Sequence, residues 1–554
     1  MSRLDWLVLL GTVAAIVGYG AWRSRGTQTA ETFLRGGDLP WWTIGLSIMA
    51  TQASAITFLS MPGQAYDDGM GFIQFYFGQP IAMVLLCITI VPLYTRLKVY
   101  TAYQYLETRF DRSVRQTTAF LFLIARGLAA GISIYAPSII VSTVMGWPLA
   151  LTNLFVGVIV IAYTVSGGTR AVSKTQTWQM AVMLGGMVLA LIFVVRSLPV
   201  SFTRAVDVAG ILGRMHIVDF SARPGARYTL WSGLFGGLFV GLAYFGTDQS
   251  QVQRYLSSSL KESRLGLLFN GLVKVPMQFL ILMVGLMVFV YFAFHAPPIH
   301  FAAAELERGR HGAHAAELAT LEGRFALATE AEHRALEAYI AAPTSPLARA
   351  ALAAAGHDVD ELRHDAKVLL QSDHKGAAAS DGDYIFLRFV LAHFPAGLIG
   401  LLLAVIFCAA MSATASALNA LTSTTIIDFY RASLRPSESD AHYLFAAKLI
   451  TVGWGLVAMA FSAFASLVDN LIEAVNILGS IFYGPTLGVF LIAFFTKKVG
   501  ARAVLLALVL GQAAVIAVFA TTKIGYLWFN VIGCAVTVAL ALLISAFRAI
   551  RRGP

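Results

Sequence analysis

The sequence is poor in charge. Asp, Glu, Lys and Arg make up 13% of its 554 residues, where soluble domains carry about a quarter. That scarcity excludes an ordinary soluble globular chain. Cysteine is scarcer still: Cys87, Cys408 and Cys534 each lie within an apolar run, so the sequence offers neither a disulfide framework nor a CxxC metal site. It contains no HExxH, no GxSxG and no acid pair inside an apolar run. A membrane-embedded enzyme would therefore lack nucleophile, metal or paired carboxylates, and no enzyme is expected. The net charge is +10, yet no stripe of interleaved arginines and aromatics appears, so a nucleic-acid partner is not expected.

What is abundant is hydrophobicity, at 58% of residues, gathered in runs long enough to cross ~30 Å of hydrocarbon. About thirteen such runs predict helices near 4–22, 41–60, 71–95, 116–145, 148–166, 176–198, 229–250, 266–294, 396–424, 443–465, 470–495, 501–521 and 525–547. Backbone polar groups in lipid must be satisfied within the segment, which makes the fold class all-α and polytopic. The first run is too long for a cleaved signal peptide and ends in Trp22-Arg23-Ser24-Arg25, so it is read as a retained helix.

Basic residues fall in every second loop: Arg23, Arg25 and Arg35; Arg96, Lys98, Arg109, Arg112 and Arg115; Arg170 and Lys174; Arg254, Lys261 and Arg264; Arg431 and Arg435; Lys497, Lys498 and Arg502; and the Arg551-Arg552 tail. By the positive-inside rule the N-terminus is outside and the C-terminus cytoplasmic, in a plasma (inner) membrane. One loop breaks the pattern. Residues 295–382 hold eight Lys/Arg against thirteen Asp/Glu, and eight of the eleven histidines, His311, His314, His357, His364 and His374 among them. Its Ala/Glu/Arg-rich stretch reads as an extracytoplasmic helical insertion. A metal-binding or pH-sensing lid is the sharper reading of the histidines. Their scattered spacing fits no ligand pattern and favours a solvated surface.

Two stretches inside the runs are unexpectedly small and hydroxyl-rich: Ser47-Ile48-Met49-Ala50-Thr51-Gln52-Ala53-Ser54-Ala55-Ile56-Thr57, and Ala409-Ala410-Met411-Ser412-Ala413-Thr414-Ala415-Ser416-Ala417-Leu418-Asn419. Small residues let helices approach closely. They also permit an unwound segment whose free carbonyls bind a cation. Both stretches together predict broken helices around a buried ion or solute site, which argues against a simple channel.

Three further blocks, Thr101–Phe110, Ser166–Val172 and Gln249–Leu256, follow in order with these two. The ordered set, over roughly residues 30–495, resembles the sodium:solute symporter family, and its sugar, sialic acid and monocarboxylate carriers most of all. The resemblance implies a leucine-transporter type fold: two inverted five-helix repeats, with one extra helix before the core and two after it. On that plan residues 1–30 hold the N-terminal extra helix, 31–294 core helices 1–7, 295–382 the insertion, 383–497 core helices 8–10, and 498–554 the last two helices and tail. It implies Na⁺ as coupling ion, no organic cofactor, a small-molecule solute and the lipid bilayer as partners, and a monomer or loose oligomer.

Carried over, the principal sodium site falls on the carbonyls of Ala50, Ala53 and Ala409 and the hydroxyl of Ser412. Two departures matter. Ala413 stands where the family commonly has a second hydroxyl, to be made good by water, Thr414 or a solute atom. Gln176 stands where many members have an Asp linked to a second sodium site. One sodium per cycle is expected, with proton coupling as the rival.

The solute residues expected are Gln52, Ser54 and Thr57 on the first stretch, Phe75 and Gln79 on the next span, and Arg126, Tyr244, Lys274 and Asn476, with Ser480 and Tyr483 as weaker candidates. Arg126 is read as a solute contact, a structural pair or a snorkelling side chain. Lys274 is either a solute contact or a lysine packed on helix carbonyls. Tyr244 either stacks on solute or simply packs. These groups suit a sugar, sugar acid or small carboxylate.

Overall fold

The computed structural model describes residues 1–24, 29–34, 38–256, 258–373, 381–463 and 471–552; Arg25, Arg35 and His374 lie outside them. Among the described residues eleven helices are long and apolar enough to cross a membrane, so this is a multi-pass membrane protein. The difference from the thirteen runs of the sequence has two sources. The run expected at 41–60 is cut into Trp41–Gln52 and Ala55–Asp68, and the second piece merges with the next run into Ala55–Leu97. The helical segment Ser232–Gly246 is apolar but too short for the criterion.

The kinked helix Leu149–Arg196 holds two expected spans. Gly168 separates them with φ 60 and ψ −173, a conformation that only glycine adopts without strain. A Cβ there would also meet the Phe33 ring at 2.6 Å.

The broken helix is the centre of the bundle. It packs against the long helix Leu260–Phe294 and against Leu398–Thr424. Gly63 in its second half lies so close to Gly382 that a Cβ would stand 1.9 Å from the Gly382 carbonyl oxygen. The second small-residue stretch does not break. It runs through the uninterrupted helix Leu398–Thr424, whose residues from 408 to 424 are all buried. Ser416 instead donates back to the Ser412 carbonyl at 2.8 Å. Its small side chains serve close approach to the kinked helix rather than unwinding.

The insertion folds as Ala303–Arg310, Ala315–Ala341 and Pro346–Asp373 around a small core of its own that includes Leu318, Leu321, Phe325 and Leu362. His311, His314, His357 and His364 are exposed, the solvated surface that their spacing favours. Ion pairs, half-buried at Asp67 and buried at Asp381, tie this segment to the end of the broken helix. Arg363 and Lys367 both reach Asp381, at 3.0 and 2.8 Å, and Lys367 reaches Asp67 at 3.1 Å. Burial opposes ionisation of Asp381, but the two cations hold its carboxyl below the usual carboxylate range.

Glu332 is the uncompensated member of this region. It is buried, and Asp360, beside it, already takes Arg214 at 2.6 and 2.7 Å. Burial, then the Asp360 charge, push Glu332 up to about 7. That exceeds the unfolded value of about 4.3, so the native state holds an extra proton between those limits. Stability from this group is present below about pH 4.3 and is lost as pH rises through about 7. Glu332→Gln is expected to raise the melting temperature at pH 8, to leave it nearly unchanged at pH 4.5, and so to flatten the profile. Thermal unfolding of the purified protein at both pH values checks this, and a parallel shift at both would remove the assignment.

Candidate solute and sodium site

The break is local and has a clear consequence. The first half-helix ends at Gln52. Ala53 and Ser54 are extended, with ψ of 90 and 174, and the second half restarts with Thr57 N donating to the Ser54 carbonyl at 3.0 Å. The last carbonyls of a helix have no partner one turn ahead. Ala50 is one of these, and its carbonyl accepts the Ser412 hydroxyl at 2.8 Å. Ala53 and Ala409 are likewise fully buried, and Ala409 precedes Ser412 by one turn on the same helix face. The residues fit a hard cation, which binds carbonyl and hydroxyl oxygens in place of water. Thr414 does not complete the set. It lies about 200° around the helix from Ser412, and its buried hydroxyl has no partner.

Gln176 organises the same spot. Its Nε2 faces four oxygens: Ser416 Oγ at 2.7 Å, Ser412 Oγ at 2.9 Å, Thr51 Oγ1 at 3.2 Å and the Ser412 carbonyl at 3.3 Å. Its Oε1 accepts from Ser47 Oγ at 2.5 Å. The amide nitrogen, a donor with partial positive charge, sits where a carboxylate would instead draw a cation. One neutral side chain thus links the broken helix, the kinked helix and Leu398–Thr424.

Next to the break lies a cavity of about 90 Å³. Of the expected solute residues it is lined by Gln52, Ser54, Thr57, Phe75, Arg126, Tyr244 and Asn476, and by Ser480 and Tyr483. Gln79 and Lys274 are not on the wall. Gln79 stands behind Gln52, whose Nε2 donates to it at 3.4 Å. Lys274 is fully buried, its Nζ 5.6 Å from the Tyr76 ring centroid and without a hydrogen-bond partner.

Arg126 is the only charged side chain on the described wall. It forms an ion pair with Asp248, donates to the Tyr483 hydroxyl at 3.0 Å and lies over the Tyr244 ring at 5.3 Å. Its Nε has no partner. The structural-pair reading therefore holds, and the same side chain also faces the cavity. Asp248 was missed from the sequence. It immediately precedes the Gln249–Leu256 block and caps that turn through Ser250 N at 2.9 Å; an acid inside the run expected at 229–250 was the available signal. The other ordered blocks turn out to stitch the bundle: Ala102 N donates to Gln249 Oε1 at 3.0 Å, and Thr101 Oγ1 to Asp428 at 2.8 Å.

The family model described as the sodium:solute symporter family matches residues 32–320 and 362–511. The chain belongs to the sodium:solute symporter family. The unmatched residues between 320 and 362 fall within the helices Ala315–Ala341 and Pro346–Asp373. The human sodium/iodide cotransporter is 36% identical over 273 residues, 48% of this chain and 42% of that protein. The chain thus spans less than half of that relative's length. The sodium/sialic acid symporter of Proteus mirabilis is 24% identical over 98% of this chain and 95% of that one. The human sodium-coupled monocarboxylate transporter 1 is 26% identical over 91% of this chain and 71% of its own length. Among solved structures, the substrate-bound outward-open state of a Na⁺-coupled sialic acid symporter superposes with a TM-score of 0.77, at 22% identity, over 99% of this chain and 98% of that one. The fold is therefore the leucine-transporter type, and the members of the family at hand are transporters.

Proposed function

We propose that this protein is a secondary active transporter that carries a small polar organic solute together with Na⁺ by alternating access, and that the solute is a small carboxylate. The observation that carries this reading is the single guanidinium, Arg126, on the wall of a cavity of only about 90 Å³ that abuts the break. A small carboxylate needs one cationic fork and a few hydrogen bonds, which Arg126 and the polar side chains of the wall offer. The monocarboxylate and sialic acid carriers among its relatives fit an anionic solute.

Sodium binds at Ala50, Ala53, Ala409 and Ser412 in this reading and replaces the direct Ser412–Ala50 hydrogen bond. It joins the broken helix to Leu398–Thr424 and so favours one arrangement of the bundle. The solute then binds, and the bundle rocks. With Gln176 filling the neighbouring oxygen cage, one sodium crosses per cycle. Each charge moved contributes about 2.3 kcal/mol per 100 mV. The loop charges support an external N-terminus, a cytoplasmic C-terminus and an external insertion, in a plasma membrane.

The test is uptake of labelled acetate, lactate and pyruvate into proteoliposomes, with Na⁺ or choline outside. Uptake is expected to rise about tenfold with Na⁺ and to follow its gradient. Uptake that persists without sodium and follows the pH gradient would establish the proton-coupled rival instead. Tyr244→Ala and Gln79→Ala are both expected to reduce uptake severely at unchanged membrane abundance. Tyr244 acts on the solute directly, and Gln79 by holding Gln52.

A further inference from the structure

Arg254 is 1% exposed, and no carboxylate among the described residues pairs with it. Its Nε donates to the Ser250 carbonyl at 3.2 Å and its Nη1 to Ser173 Oγ at 2.9 Å, but its Nη2 has no partner. The other deeply buried guanidiniums each meet an acid: Arg115 takes Asp428, and Arg363 takes Asp381. Burial pulls the Arg254 guanidinium down to about 9, with Tyr163 and Tyr244 opposing, which leaves it a cation at neutral pH. A buried ion without a counter-ion is strongly disfavoured, and a folded protein keeps one where another state or a ligand satisfies it.

Two amides, one on the same turn and one on the helix it docks against, also lack hydrogen-bond partners. Gln251 and Asn419 each lack partners on both amide atoms. The Gln249–Val252 turn is docked on Leu398–Thr424, with Gln253 Nε2 donating to the Ser416 carbonyl and Ser423 Oγ donating to Gln253 Oε1, both at 3.4 Å. At 100° per residue, Asn419 lies within about 60° of Ser416 and about 40° of Ser423, on that same face. The side chain of Gln251 lies close to the hydroxyl of Tyr244, which is on the wall of the solute cavity. The orphaned groups therefore follow Tyr244 along the chain, towards the loop of Lys261 and Arg264 that the charge pattern assigns to the cytoplasm.

We propose that Arg254, with the amides of Gln251 and Asn419, is a second anion site on the cytoplasmic side of the solute cavity, where the carboxylate of the solute rests between leaving Arg126 and reaching water. This rests on the reading of the solute as a small carboxylate. In this structure Arg254 Nη2 and the amide groups of Gln251 and Asn419 are buried and accept or donate no hydrogen bond among the described residues. When the inner route opens, solute or water satisfies them, so their burial favours opening. Gln176, one turn along the same helix from Ser173, is neutral and leaves the guanidinium free for a mobile anion.

The experiment measures pyruvate transport from both faces of reconstituted full-length protein, with right-side-out and inside-out vesicles. Arg254→Gln is expected to raise the KM at the cytoplasmic face by about tenfold while the external KM stays within about threefold, since the charge-assisted contact is lost on one side only. Arg254→Lys, which keeps a cation, is expected to recover most of the loss. The Gln251→Ala, Asn419→Ala double variant keeps the charge and is expected to raise the cytoplasmic KM about threefold; it decides the question if Arg254→Gln does not fold. An unchanged cytoplasmic KM in the folded variant overturns the second site alone. A wild-type protein that carries none of pyruvate, lactate and acetate overturns the carboxylate reading, and the second site with it.

Discussion

Asp248→Asn is expected to abolish uptake and to lower the melting temperature by several degrees. Asp248 is 3% exposed and forms an ion pair with Arg126, which stands on the cavity wall. Removing one partner leaves a buried guanidinium with a hydroxyl and an aromatic face but no counter-charge, which costs about 3–5 kcal/mol. The same change frees Arg126 to hold a carboxylate solute too tightly, which stalls release. The control is the Asp248→Asn, Arg126→Gln double variant. It removes both charges and is expected to regain most of the stability but none of the uptake, because the solute has lost its cationic contact. Thermal unfolding and pyruvate uptake on the two variants separate the roles. Wild-type stability and uptake in Asp248→Asn would show that the pair neither supports the bundle nor bears on the solute.

The second large effect is expected at Ser412. Ser412→Ala removes the one side-chain oxygen of the sodium set and, with it, an acceptor for Gln176 and the donor to the Ala50 carbonyl. Ala413 offers no replacement, and Thr414 faces away. The sodium concentration for half-maximal uptake is expected to rise at least about tenfold, which corresponds to about 1.4 kcal/mol. The orphaned Ala50 carbonyl is expected to add a loss of stability of about 1–3 kcal/mol. Sodium dependence of uptake and of the melting temperature reads both. A sodium response identical to wild type would move the ion site away from the Ala50–Ser412 contact.

Much of the site was legible because each half-helix carries its own chemistry in a short window. Gln52, Ser54 and Thr57 stand within six residues, and the small residues before them mark where the helix yields. Arg126, Tyr244 and Asn476 were conspicuous as polar or amphipathic groups inside apolar runs, and all three reach the cavity. Lys274 was conspicuous for the same reason and does not reach it. Its burial on the helix Leu260–Phe294 puts Tyr76 between it and the space. The expected break near Ser412 failed for a related reason. Small hydroxyl residues serve close packing and unwinding alike, and the choice between them depends on what lies opposite. Opposite Ser412 lies the Gln176 amide, which satisfies the hydroxyls of an intact helix.

The sequence by itself determined that this chain crosses a membrane many times and which family it resembles. Those properties follow from composition, charge in alternate loops and local backbone chemistry, each readable within a span. Only the tertiary structure decided that Arg126 meets Asp248 across 122 residues, that Gln176 holds Ser412 across 236, and that Arg254 meets no acid among the described residues. Pairing is a property of distance in space. Whether a buried charge is compensated, shared with a solute or left for a mobile anion depends on which distant side chain the packing brings within about 3 Å of it.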